Sequence, residues 1–124
     1  MAASNTGAPP ERTIFDRILA REIPATIVHE TPAVLAFRDI QPQAKVHVLV
    51  IPKKRARSFA EFESWSDGEI GAFFAGVNAT TRVLGLTEGG YRIVLNTGRN
   101  GCQSVDYVHA HILGGEQLQG GFGR

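Results

Sequence analysis

The sequence predicts an α+β domain: a mostly antiparallel sheet of about five strands with one short N-terminal helix and one long helix. Three observations carry this. Apolar, β-branched runs of strand length recur at 26–30, 34–39, 45–51 and 91–96 and again within 103–115. Only one long stretch has helical periodicity, and it falls between the third and fourth of those runs. Proline, glycine and asparagine punctuate the joins, and no segment repeats another.

Thr13 is a good N-cap, and Ile14, Phe15, Ile18 and Leu19 then fall on one face of a helix that must stop before Pro24. Strands 26–30 and 34–39 are joined by Thr31-Pro32-Ala33 and read as a hairpin. After the Gln41-Pro42-Gln43 turn, the valine-rich run 45–51 puts His47, Leu49 and Ile51 on one face and ends at Pro52. Ser66 and Glu69 have capping-box spacing, and Ile70, Phe73, Phe74, Val77, Thr81 and Leu84 follow at helical intervals up to Gly85. Gly71 and Gly76 inside that helix each cost about 1 kcal/mol relative to alanine, which points to close packing there.

The chain has 124 residues and is 43% apolar, enough for one core, so 13–124 reads as a single domain. Residues 1–12 are mostly small and polar around Pro9-Pro10, and are expected to form a flexible tail without the apolar segment of a secretory signal. No run reaches the ~18 apolar residues that a membrane helix needs. A single cysteine, Cys102, excludes an intrachain disulfide and suits a reducing compartment, so a cytoplasmic location is expected. The net charge of +1 argues for neither nucleic acid nor a membrane surface. The cluster Lys53-Lys54-Arg55-Arg57 reads as a solvated turn.

The chemistry concentrates near the C-terminus, in Gln103-Ser104-Val105-Asp106-Tyr107-Val108-His109-Ala110-His111-Ile112-Leu113-Gly114-Gly115. In an extended strand His109 and His111 point the same way, roughly 6.6 Å apart along the backbone, with Tyr107 one step earlier on that face. Such a pair serves a metal, acid/base or nucleophilic chemistry on a phosphate, or a satisfied half-buried position. A metal needs a third ligand, and His47, Cys102 and distant carboxylates stand at no diagnostic zinc spacing, so none is assigned. The preceding loop favours phosphate: Gly98 and Gly101, with Asn96, Asn100, Gln103 and Ser104, supply backbone, amide and hydroxyl donors beside the histidines.

These residues, together with Thr13-Ile14-Phe15, Arg21-Glu22-Ile23-Pro24-Ala25, Ala36-Phe37-Arg38-Asp39-Ile40, Pro42-Gln43-Ala44, Val50-Ile51-Pro52-Lys53-Lys54 and Gly90-Tyr91-Arg92, resemble the histidine triad (HIT) superfamily over about residues 13–118. The Leu113-Gly114-Gly115 ending resembles its branch of nucleotide-binding purine nucleoside phosphoramidases. The resemblance implies a HIT-like fold that dimerises into a continuous sheet, with Gly71, Phe73, Phe74 and Gly76 available to the contact. It implies hydrolysis of purine nucleoside 5′-phosphoramidates with no cofactor, and binding of purine nucleotides such as AMP or GMP.

By position, His109 is then the nucleophile that becomes nucleotidylated, and His111 contacts the phosphate and assists charge and proton transfer. Asn96, the backbone of Cys102, Gln103 and Ser104 surround the phosphate, with Ser104 near the leaving amine. Asp39 accepts the ribose hydroxyls. Ile14, Phe15, Ile18, Phe37, Ile40, Leu49 and Val105 form the base pocket, and His47 supports the triad. The chain departs from the pattern at the first triad position, where Tyr107 stands instead of histidine. Its hydroxyl is expected to bond His47 but, with a pKa of about 10, cannot titrate near neutrality, so activity is expected to persist in weakened or pH-altered form. A purine-nucleotide-binding or scaffold protein with vestigial activity is the alternative. The tail from Glu116 to Arg124 lacks the family's tryptophan-proline ending, which leaves the leaving amine open.

Overall fold

The computed structural model describes residues 11–121, so most of the expected N-terminal tail and the last three residues, 122–124, lie outside the described residues. Strands β1 (Ile27–Glu30), β2 (Val34–Arg38), β3 (Val46–Pro52), β4 (Tyr91–Val94) and β5 (Ala110–Gly114) form one antiparallel sheet in the order β1-β2-β3-β5-β4. Helices α1 (Ile14–Leu19) and α2 (Asp67–Val83) pack on opposite faces. The predicted α+β class and element order stand. The structure adds a 3₁₀ turn, Phe59–Ser64, whose Phe62 stacks on Trp65 and meets Phe73 edge-on.

Strand periodicity divides the core. Val34 and Ala36 of β2, Val48 and Val50 of β3, and Ala110 and Ile112 of β5 face α2 through Phe73 and Val77. Leu35, Phe37, Leu49 and Ile51 point the other way, against Phe15 and Ile18 of α1. The short α1 covers only part of that second face, and the functional site occupies the rest.

Both helices start as their caps dictate. Thr13 and Asp16 close a capping box on α1, and Ser66 and Glu69 close one on α2. Of Gly71 and Gly76 only Gly76 is in close contact, since a Cβ there would lie 2.6 Å from both methyls of Val34, whereas Gly71 faces open space. Gly76→Ala should therefore invert the usual helix preference and destabilise the domain by about 1–2 kcal/mol. Urea unfolding checks this, and an unchanged or raised midpoint would show that α2 can lift off β2.

The basic run after β3, read as a solvated turn, is also ion-paired along its length. Lys53 pairs with Glu30 at 2.8 Å, Lys54 with Glu69 at 2.7 Å, Arg55 with Asp16 at 3.0 Å and Arg57 with Asp106 at 3.7 Å. The sheet and helix starts bring carboxylates from four separate segments to this one strand end, which no local pattern announces.

Candidate functional site

The His-bearing strand begins at Ala110, so Tyr107 to His109 form an irregular approach to β5 rather than part of it. Even so, His109 and His111 remain neighbours, with ring centroids 4.9 Å apart. Tyr107 does not join them. Its hydroxyl donates to the Pro52 carbonyl at 2.6 Å, among the residues of the α1 cluster, and the expected bond to His47 is absent. Tyr107 keeps the expected face, packing with Phe15 and Leu49 while Val108, Ala110 and Ile112 pack on the other side, but its hydroxyl reaches the end of β3 at Pro52 and not the histidines.

His47 meets His111 instead. Leu49 of β3 lies opposite His111 and His47 opposite Leu113, so the two imidazoles are diagonal neighbours on one face. Their Nε2 and Nδ1 atoms are 2.9 Å apart.

The partners determine the tautomers. The backbone N–H of Gln43 donates to His47 Nδ1 at 3.0 Å, so that nitrogen carries the lone pair and Nε2 carries the proton. His47 Nε2–H then donates to His111 Nδ1, with Asp39 Oδ2 also near at 3.4 Å. His111 in turn holds its proton on Nε2. His109 has the opposite form, because its Nδ1 lies 2.7 Å from the Tyr107 carbonyl, which only accepts. Its Nε2 is left as a bare nitrogen.

Burial lowers the pKa of all three imidazoles, since charging them away from water is costly. For His109, the carbonyl bond and Asp39 push back in the other direction. His111 is driven to about 4 by burial and then by the neighbouring His109 and His47. The three imidazoles are thus neutral at pH 7, with a bare nitrogen on His109 and an N–H donor on His111. A reaction that needs neutral His109 should keep its acid limb below the ordinary value of 6.5. A profile of kcat/KM against pH checks this, and a midpoint at or above that value would contradict the burial argument.

A cavity of about 410 Å³ opens beside these groups. Ile14, Phe15, Ile18, Phe37, Asp39, Ile40, Leu49, Ser104, Val105, His109 and His111 line it, all of them anticipated from the sequence. The sequence reading missed Ile23, Pro24, Ala25, Arg38 and Gln41, which complete the rim from the ends of α1 and β2. It also missed Gln43, whose backbone sets the histidine chain; the Gln41-Pro42-Gln43 turn was its only signal.

Asn96, Cys102 and Gln103, expected around the phosphate, do not line this cavity, but Asn96 lines a second one of about 500 Å³ with His47 and His111. Asn96 Nδ2 donates to the Gly101 carbonyl at 2.8 Å, and Gln103 accepts from Gly98 N–H and donates to the carbonyls of Arg57 and Val105. The Cys102 N–H is bonded to the Arg99 carbonyl at 3.1 Å, with Cys102 itself in the left-handed region at φ 60°. Gly101 has no room for a side chain, since a Cβ would meet the Thr97 carbonyl oxygen at 2.5 Å. These bonds shape the loop that leads to Ser104.

The donor atoms of Asp39, His47 and His111 lie within 4.8 Å of one another, a convergence that the sequence spacing did not reveal. They do not fit a metal ion. A metal on His47 Nε2 would force the proton onto Nδ1, where it would face the Gln43 N–H donor.

Fold and site together define an α+β domain that holds a buried imidazole with a bare nitrogen against an apolar cavity with a carboxylate at its rim. Residues 20–118 match the HIT domain model, and the chain belongs to that family. It is 45% identical to the "14 kDa zinc-binding protein" of Zea mays over 108 residues, covering 86% of this chain and 84% of the relative. It is 42% identical to the adenylylsulfatase HINT1 of Arabidopsis thaliana over 120 residues, covering 95% and 79%. The structure of a HIT family hydrolase from Clostridium thermocellum superposes with a TM-score of 0.83 at 34% identity, covering 91% of this chain and 98% of that one.

Proposed function

We propose that this protein hydrolyses purine nucleoside 5′-phosphoramidates through a nucleotidyl intermediate on His109. The observation that carries the reading is the 2.7 Å bond between His109 Nδ1 and the Tyr107 carbonyl, which leaves Nε2 bare at the wall of the cavity. A relative named as an adenylylsulfatase and a structure named as a hydrolase support hydrolysis at a nucleotide. The apolar walls suit a base, and Asp39 at the rim suits ribose hydroxyls.

In this reading Nε2 attacks the α-phosphorus, an N–P bond to His109 forms, and the P–N bond to the amine breaks with its electron pair. The departing amine takes the Ser104 hydroxyl proton, which solvent replaces at that exposed side chain, and the His111 Nε2–H stabilises the phosphoryl oxygens. Water then attacks phosphorus and releases a proton to solvent, the bond to His109 breaks with its electron pair returning to Nε2, and a nucleoside monophosphate leaves. Brief exposure to a fluorogenic adenosine phosphoramidate followed by peptide mapping tests this. The adduct is expected on His109; turnover with no adduct would refute the covalent route.

The second reading is a purine-nucleotide-binding or scaffold protein with vestigial activity, which Tyr107 favours. It predicts AMP or GMP binding with negligible turnover. The direction of the Tyr107 side chain weighs against it, since the phenol leaves the histidine chain intact. The zinc-binding name of the maize relative sets a further outcome: metal near one equivalent per chain in the purified protein would overturn the metal-free reading.

We also propose a cytoplasmic homodimer. Among the described residues the outer edge of β4 is unpaired, with Tyr91 and Ile93 exposed on it and Phe74 and Val83 exposed on α2.

A further inference from the structure

His109 is aimed by a carbonyl, and a carbonyl is aimed by the backbone that carries it. Two main-chain bonds tie this stretch down, Tyr107 N–H to Val105 at 2.8 Å and Val108 N–H to Ala56 at 2.8 Å. The third tie runs through the Tyr107 side chain to Pro52. That phenol is 1% exposed and carries further contacts. The Arg55 guanidinium lies 5.6 Å from its ring centroid, and the Phe15 ring meets it edge-on at 6.3 Å.

Arg55 continues the connection. Its Nε and Nη2 reach the two carboxylate oxygens of Asp16 at 3.0 and 3.1 Å, a two-pronged grip that only a guanidinium makes. Asp16 is also the residue that closes the α1 capping box, through bonds from Thr13 N–H and hydroxyl. Phe15, its neighbour in α1, lies edge-on to His109 at 5.0 Å. The contacts therefore form a closed circuit: His109, Tyr107, Arg55, Asp16, Phe15 and back to His109.

We propose that Asp16, Arg55 and Tyr107 form a positioning clamp that locks the cavity-lining helix α1 to the carbonyl that holds the nucleophile. Tyr107 thus acts at the first triad position as a strut, and Arg55 gives the basic run after β3 a purpose that ion pairing alone does not. The clamp rests on His109 being the nucleophile.

Tyr107→Phe and Arg55→Gln, singly and combined, test it on folded protein well below each variant's melting temperature. Removing the phenol hydroxyl should lower kcat about tenfold with little change in KM, the equivalent of one hydrogen bond lost from the aiming of the group. Arg55→Gln should lower kcat similarly and also raise KM, because α1 lines the cavity. Arg55→Lys should not rescue it, for want of the two-pronged grip. The double variant should lose little more kcat than the worse single, since both break one circuit.

Nitrogen-15 spectra of His109 supply a readout that a merely structural residue would not move. Wild type should show a proton on Nδ1 alone, and both variants a mixture of tautomers. Wild-type kcat in Tyr107→Phe, unmixed tautomers in both variants, or fully additive losses would each overturn the clamp. The spectra need no turnover, so they decide the clamp even where the hydrolase reading fails; full activity in His109→Ala would sink that reading alone.

Discussion

His109→Ala is expected to lower phosphoramidate turnover by about 10⁴-fold or more while nucleotide binding survives. In the proposed mechanism the size follows from removing the protein atom that bonds phosphorus, as opposed to one that steadies it. Binding survives because the cavity is built mainly by others: Phe15, Phe37 and Leu49 as walls, with Asp39 at the rim. His109 is also buried against Phe15, so truncation leaves a gap. His109→Gln, which preserves bulk, should be equally inactive and better folded. Steady-state kinetics beside AMP titration by calorimetry checks both, and residual activity above one per cent of wild type would move the nucleophile elsewhere.

His111→Phe should lower kcat by about 10²–10³-fold, the usual effect of losing one donor at a developing oxyanion. The structure makes His111 a neutral N–H donor, because burial and two neighbouring imidazoles drive its pKa to about 4. Its contribution should therefore be constant above pH 6.5 and persist well into the acid range. The same shift has a stability consequence of definite sign. The unfolded chain protonates His111 near its ordinary value of 6.5, the folded chain only near 4, so stability is full above pH 6.5 and falls as pH drops between the two. Urea midpoints for wild type and His111→Phe should converge at acid pH; parallel curves would show that another group carries the loss.

Elements that depend on short-range pattern were legible in the sequence. The Ser66/Glu69 box, the β2 turn at Thr31-Pro32-Ala33 and the alternation of β3 each need only neighbours within a few residues, and each appears where expected. The cavity lining was legible too, but through the family resemblance, since apolar residues such as Leu49 and Phe37 look like ordinary core on their own. The 3₁₀ turn at Phe59–Ser64 escaped because it has no long periodicity.

The partner of Tyr107 escaped for a different reason. Alternation gives its face correctly, since Tyr107 packs with Phe15 while Val108 packs with the α2 cluster, but it cannot give the partner of the hydroxyl, the Pro52 carbonyl on another strand. Sequence by itself determined the fold class and the pairing of His109 with His111. The tertiary structure alone decided which proton each imidazole holds, that Asp39 joins His47 and His111, and that the Tyr107 hydroxyl bonds the Pro52 carbonyl. These depend on contacts such as His47 to His111, 64 residues apart, and Tyr107 to Pro52, 55 apart. Hydrogen bonds are directional over less than an ångström, whereas periodicity specifies only which face a residue takes.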